Sequence, residues 1–349
     1  MTSRLRVAVA APLEPALCDL IVELEPRIDL FVDQALLPPM RHPADFSGDP
    51  SFRRTPSQQR AYEYLLDRAD ALYGIPDVDP AALARAVRSN PSLRWVHTMA
   101  AGGGGQVRAA ELTGAELERV VFTTSAGVHG DSLAEFAVFG VFAGAKHLPR
   151  LLRQQREREW SGRWLMSQVS DQTALVLGLG GIGSAVAAKL SALGATVIAT
   201  SRSGASAPGV SRTVHPDDVR SVLPEVSAVV STLPGTDATH HLVGSEFLAA
   251  LAPGTTVVNV GRGTVIDEAA LLRELETGRV GFAALDVFEV EPLPSDSPLW
   301  SHPRVLVSPH TAALDAREDR RIAELFAENA RRLLDGETPR NVVDTVEFY

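Results

Sequence analysis

The stretch Thr173-Ala174-Leu175-Val176-Leu177-Gly178-Leu179-Gly180-Gly181-Ile182-Gly183 decides the fold. It begins as a short apolar run and ends in a GxGxxG sequence. Ile182, Val186, Leu190 and Leu193 then form one apolar stripe at helical spacing, closed by Gly194, and a second apolar run follows at 195–200. Alone, GxGxxG is a weak signal; between a strand and a helix inside a βαβ unit it is the turn that receives the pyrophosphate of a dinucleotide. Gly178 makes the tight turn, Gly180 lets the backbone approach a phosphate, and Gly183 permits close helix–strand packing. Gly181 and Ile182 open the helix, whose free N–H groups and partial positive charge face the anion.

An acidic residue about 20 positions beyond the first glycine would hold a ribose 2′-hydroxyl. None stands there; the sequence is Ala199-Thr200-Ser201-Arg202-Ser203-Gly204. The hydroxyls of Ser201 and Ser203, with the permanently charged guanidinium of Arg202, suit a 2′-phosphate instead. The expected cofactor is NADP(H), with NAD(H) also accepted.

The 349 residues suggest two domains at about 150 residues each. A hydrophobic fraction of 45% with 22% charged residues describes a folded protein. The net charge of −10 argues against a nucleic-acid partner. The basic cluster Arg150, Arg153, Arg156 and Arg158 is interleaved with Glu157 and Glu159 and reads as a solvated helix face. Cys18 is the only cysteine, which forbids an intrachain disulfide and suits a reducing compartment. The first apolar run, 7–10, is too short for a signal-peptide core. The most apolar stretch, 174–200, is broken by glycines and Lys189 and is no membrane span. A cytoplasmic protein is expected.

Further strand-like runs lie at 5–9, 28–32, 69–73, 93–98, 120–123, 228–232, 256–260, 282–287 and 305–307. Those from 173 onward are continuously apolar, as strands covered on both faces are. Helices are expected at 16–25, from Pro80 to 87, over 132–160 with a break at Pro149, from the Asp267 cap to Gly278, and over 317–334. The proline-rich stretch 38–59 reads as a long surface loop. The tail 339–349 should lie against the first segment. This βα alternation implies two doubly wound parallel-sheet α/β domains with a cleft between them.

Three polar residues stand at or beyond strand ends, where open α/β sheets bind ligands. Arg262 follows the run 256–260, Glu291 follows 282–287, and His310 follows 305–307. Arginine can grip a carboxylate or polarise a carbonyl. Histidine can give a proton to a nascent alkoxide. A carboxylate beside it would hold the ring and complement its charge. Beside a nicotinamide, the three would make a hydride-transfer site.

These residues sit in stretches that resemble the D-isomer-specific 2-hydroxyacid dehydrogenase family. Besides the fingerprint, the matching stretches are Leu233-Pro234 with Thr236 and Thr239, then Asn259-Val260-Gly261-Arg262-Gly263-Thr264-Val265-Ile266-Asp267. Leu285-Asp286-Val287-Phe288-Glu289-Val290-Glu291-Pro292, Ser308-Pro309-His310-Thr311 and Gly127-Val128-His129-Gly130 complete them. The resemblance covers about residues 90–345 and implies that Arg262 orients the substrate, His310 exchanges the proton and Glu291 pairs with His310. It implies a cofactor surface including Leu233, Pro234, Thr239, Val260, Gly261, Asp286 (at the nicotinamide carboxamide) and His310. It also implies that Ala100, Ala101, Gly102 and Gly103 hold the substrate carboxylate through backbone N–H groups.

By the same resemblance, a flavodoxin-like substrate domain comprises 1–125 plus 315–349 and a Rossmann cofactor domain 126–314. A homodimer with the 132–160 region at its interface is implied too. The expected reaction is reduction of a small 2-keto acid to a D-2-hydroxy acid. Two features depart from the pattern: four glycines, 102–105, replace a single glycine followed by Val-Asp, and Gly261 replaces a small non-glycine residue, which looks harmless. The alternatives are a formate- or phosphite-type dehydrogenase, whose site residues are not identifiable, and a nucleotide-sensing corepressor-like protein. No metal site is expected: His240-His241 lacks further ligands. His97 reads as core or cleft lining, His129 as structural, and Trp300 as either pocket border or packing.

Overall fold

Most of the strand-like apolar runs become parallel strands, in a computed structural model that describes residues 4–346 and 348. The chain divides into two compact units, Met1–His129 with Leu314–Tyr349, and Gly130–Ala313. The first unit runs β1 (Leu5–Val9), α1 (Pro15–Leu24), β2 (Ile28–Phe31), α2 (Pro56–Leu66), β3 (Ala71–Tyr73), α3 (Pro80–Ser89) and β4 (Trp95–His97). It continues with α4 (Gly104–Ala109), α5 (Gly114–Arg119) and β5 (Val121–Thr123). Its sheet has the order β2-β1-β3-β4-β5, the flavodoxin-like arrangement, with every pair parallel.

The second unit runs α6 (Gly130–Ala145), α7 (Leu148–Glu157), β6 (Thr173–Leu177), α8 (Gly181–Ala192), β7 (Thr196–Thr200), β8 (Arg212–Val214) and β9 (Ala228–Ser231). Then come α9 (Ser245–Ala249), β10 (Thr255–Asn259), α10 (Glu268–Thr277), β11 (Val280–Leu285) and β12 (Val305–Val307). The order is β12-β11-β10-β9-β6-β7-β8, a Rossmann sheet whose strand order reverses between β6 and β9. The last helix, α11 (Glu318–Leu334), belongs to the first unit.

Several local expectations change. The helical stretch 132–160 is two helices, and the break falls at Lys146-His147, where His147 takes a left-handed φ of 51°. Pro149 opens the second helix rather than ending the first, because proline has no N–H to lose at a helix start. The loop expected at 38–59 ends sooner. Thr55 and Gln58 form a capping box around Pro56, so α2 starts there. What remains of the loop is fastened by the Arg41–Asp45 ion pair and by the Ala44 N–H donating to Asp319 Oδ2 at 2.8 Å. The four-glycine stretch is divided, its last two residues opening α4.

The core of the first unit is built where α11 meets the sheet. Phe326 is fully buried, stacks on Trp95 at 4.5 Å and meets the ring of Tyr73 edge-on at 5.1 Å. Burying a side chain of this size stabilises by about 1.5–3 kcal/mol. The tail follows β5: the Val343 N–H donates to Phe122 O at 2.8 Å, and Thr123 and Val342 form an antiparallel bridge. Glu347 and Tyr349, within the expected tail, lie outside the described residues. Phe326→Ala should destabilise the protein by about 3–5 kcal/mol, through lost burial and the cavity left behind. Urea denaturation followed by circular dichroism checks this; an unchanged midpoint would contradict the packing described.

Candidate active site

All candidate chemistry of the second unit stands at the carboxyl ends of its strands. Across the sheet, β12 leads to His310, β11 to Asp286 and Glu291, β10 to Arg262, and β9 to Leu233 and Pro234. Beyond the switch point, β6 leads to the fingerprint glycines and β7 to Ser201, Arg202 and Ser203.

The fingerprint turn is shaped by the chain itself at two of its glycines and left open at the third. Gly178 has a φ of 92°, which disfavours any side chain. A Cβ on Gly183 would lie 1.9 Å from Gly178 O, so only glycine lets α8 approach the turn this closely. A Cβ on Gly180 would meet nothing within 4 Å. Gly180 is the N-cap of α8, and the N–H groups of Gly181, Ile182 and Gly183 find no acceptor among the described residues. This open cradle fits a phosphate group. Two threonines that the sequence reading passed over hold the turn. Thr200 Oγ1 accepts from the Gly178 N–H at 2.9 Å, and Thr232 Oγ1 donates to Leu177 O at 3.0 Å or Gly178 O at 3.1 Å.

At the end of β7, Ser201 Oγ and Ser203 Oγ lie 3.3 Å apart. Arg202 is exposed, and its guanidinium pairs with no acid among the described residues. Leu233 is half-buried and Pro234 exposed, while Thr239 Oγ1 folds back to donate to Pro234 O at 2.6 Å. Val260 is buried beneath the Gly261 turn.

At the other end of the sheet, His310 Nδ1 lies 2.6 Å from Glu291 Oε2. Glu291 Oε1 accepts from the Phe288 N–H at 3.0 Å, so the carboxylate is oriented at both oxygens. This fixes the imidazole plane and leaves Nε2 as the atom that can meet a substrate. The His310 side chain is 49% exposed and that of Glu291 35%, so the pair is open to a ligand. His310 has a left-handed φ of 52°, a conformation costing a non-glycine residue of the order of 1–3 kcal/mol. It is held by its own N–H, which donates to Asp286 O at 2.9 Å and Ser308 O at 3.0 Å.

Asp286 is fully buried and clamps the same loop. Its Oδ1 accepts from Ser308 Oγ at 2.6 Å and from the N–H groups of Thr311 at 2.9 Å and Ala312 at 3.0 Å. Its Oδ2 is buried without a hydrogen-bond partner among the described residues, an acceptor left over for a donor from outside the chain. The open cradle at Gly180 and this spare acceptor together fit a dinucleotide along the strand ends. Arg262, on the turn after β10, is extended, and its Nη1 donates to Gly261 O at 2.8 Å.

Other singled-out residues lie elsewhere. Ala100, Ala101, Gly102 and Gly103 follow β4 in the first unit, and the N–H groups of the first three find no acceptor among the described residues. His97 is fully buried, bonded to Thr123 Oγ1 at 2.8 Å and Ser125 Oγ at 3.2 Å. Burial pushes its pKa down to about 3, so it is a neutral structural residue. His129 Nδ1 lies 3.4 Å from Glu318 Oε1, whose pKa burial raises to about 8. His240 and His241 stack at 4.0 Å, and no group of three or more potential metal ligands occurs among the described residues. Trp300 is half exposed and donates to Pro294 O at 2.9 Å.

Residues 138–312 match the family model described as D-isomer specific 2-hydroxyacid dehydrogenase, NAD binding domain. The chain is 34% identical over 218 residues to glyoxylate/hydroxypyruvate reductase A of Serratia proteamaculans, covering 62% of this chain and 68% of that protein. A D-isomer specific 2-hydroxyacid dehydrogenase of Xanthobacter autotrophicus, solved with NADPH and MES, superposes with a TM-score of 0.78. The two are 29% identical, over 99% of this chain and all of that one. A family protein of Aeromonas salmonicida gives a TM-score of 0.76 at 26% identity, over 98% of this chain and 99% of that one. With the strand-end arginine, the glutamate–histidine pair and the dinucleotide cradle in place, the chain belongs to the D-isomer specific 2-hydroxyacid dehydrogenases, a family of NAD(P)-dependent oxidoreductases.

Proposed function

We propose that this enzyme reduces a small 2-keto acid, of the glyoxylate or hydroxypyruvate kind, to the D-2-hydroxy acid with NADPH. The 2.6 Å contact between His310 Nδ1 and Glu291 Oε2 carries the reading. When bound, the reduced nicotinamide supplies hydride to the C2 carbon. The chain supplies orientation and a proton. Arg262 grips the carboxylate and polarises the carbonyl, whose C=O π bond opens as the carbon accepts the hydride. His310 Nε2 gives the proton to the resulting alkoxide, while Glu291 balances the charge on the ring. Asp286 Oδ2 accepts from the nicotinamide carboxamide. In the 100–103 segment the N–H groups of Ala100, Ala101 and Gly102 are the ones left to hold a substrate carboxylate, in keeping with the first unit as the substrate domain and Gly130–Ala313 as the cofactor domain.

The preference for NADPH rests on Arg202, Ser201 and Ser203. The Xanthobacter relative was solved with NADPH, and the Serratia relative is named for glyoxylate and hydroxypyruvate. A homodimer is supported by the exposure of Trp160 (100%) and Leu165 (94%), a cost in water that a second copy would remove. The single cysteine, Cys18, is free, which is compatible with the reducing cytoplasm.

NADPH oxidation with a series of 2-keto acids, from glyoxylate to phenylpyruvate, tests the activity. His310→Ala should lower kcat by about 100-fold or more while cofactor binding survives, since acid–base catalysis contributes about 10²–10⁴-fold. Near-normal turnover by that variant would remove the assigned role. Arg202→Ala should weaken NADPH binding at least tenfold and leave NADH nearly unchanged, as about 1.5–3 kcal/mol rests on a charged hydrogen bond. A wild-type enzyme with higher kcat/KM for NADH would reverse the cofactor reading. In light scattering, wild type should be dimeric, and Trp160→Ala with Leu165→Ala should shift it toward monomer; a monomeric wild type at micromolar concentration would refute the dimer.

A further inference from the structure

We infer that Asn259 is a positioning residue that sets the direction of the Arg262 guanidinium. The inference rests on the reading of Arg262 as the substrate-gripping residue. Asn259 is the last residue of β10, a strand paired on both sides, and is 1% exposed. Its side-chain amide closes over the next turn. Oδ1 accepts from the Gly261 N–H at 3.1 Å, and Nδ2 donates to Arg262 O at 3.0 Å. One side chain therefore binds the polar groups on either side of the Gly261–Arg262 peptide link. Its own carbonyl accepts from the Asp286 N–H at 3.0 Å, which ties the Arg262 turn to the residue that clamps the His310 loop.

The opposite side of the turn is equally constrained. A Cβ on Gly261 would lie 2.5 Å from Leu233 O and 2.8 Å from Leu233 N, so glycine at this position is required by close approach and is not a harmless variation. The Leu233 backbone thus confines Gly261 from one side, the Asn259 amide holds the Gly261 N–H and Arg262 O from the other, and Arg262 leaves the turn extended, with φ −135° and ψ 142°. Few side chains could replace the amide. Aspartate has no donor for Arg262 O, and alanine has neither group. Serine could still accept from the Gly261 N–H in the two-residue turn but would not reach Arg262 O.

A double-mutant cycle on kcat/KM for the 2-keto acid tests this, with Asn259→Ser and Asn259→Ala each made in wild type and in Arg262→Ala. Circular dichroism and a cofactor fluorescence titration report folding and the dinucleotide site. If Asn259 acts through Arg262, Asn259→Ser lowers kcat/KM at least tenfold, chiefly by raising KM, while cofactor Kd stays within twofold. In the Arg262→Ala background the same change then costs less than twofold. A normal kcat/KM in Asn259→Ser, or an undiminished loss in that background, would overturn the inference. Should Asn259→Ala not fold, Asn259→Ser retains the turn and carries the test alone. An Arg262→Ala enzyme with unchanged kcat/KM would instead overturn the role of Arg262 itself, before Asn259 is in question.

Discussion

A parallel sheet delivers the end of every strand to one edge, and each loop leaving that edge must satisfy its own backbone groups without a sheet partner. In the second unit this constraint is met at β11 by Asp286. A buried carboxylate is tolerated only where donors surround it. Here the donors are a hydroxyl and two N–H groups of the loop carrying His310. The loop is thereby fixed by the group that needs it. The left-handed backbone of His310 persists because its N–H is engaged twice over. Glu291 completes the arrangement, held at one oxygen by the Phe288 N–H and bound at the other to the imidazole.

The same economy marks the cofactor end. Gly178 and Gly183 are glycines for reasons internal to the chain, whereas Gly180 has open space where a side chain would stand. A chain that folded only for its own packing would have no use for glycine there. Among the described residues Arg202 is likewise a charge without an acidic partner, beside two hydroxyls. These two residues describe a ligand by what the protein leaves undone.

Much of this fold was legible in the sequence, because buried parallel strands are continuous apolar runs and the runs were clear. The misses have physical causes. β8, Arg212-Thr213-Val214, is a partly exposed edge strand and carries no apolar run. The run read as 282–287 is strand only over Val280–Leu285, because Val287 and Phe288 are apolar from burial in the loop. The start of α2 is set by a capping box inside a proline-rich stretch, where composition suggested only loop. At the candidate site, the residue types beyond the strand ends were readable from their positions. Their hydrogen bonds were not. Asn259, Thr200 and Thr232 act on backbone atoms of neighbouring turns, and no spacing in the sequence reveals which backbone atom a side chain will meet.

In the proposed reaction Arg262 and His310 act on one substrate, the first on its carboxylate and the second on its carbonyl oxygen. A crystal structure of the enzyme with NADP and oxamate, an unreactive analogue of a 2-keto acid, tests it directly. The guanidinium of Arg262 should pair with the oxamate carboxylate, and His310 Nε2 should lie within hydrogen-bond reach, about 2.6–3.2 Å, of its carbonyl oxygen. Oxamate bound in contact with neither residue would contradict it.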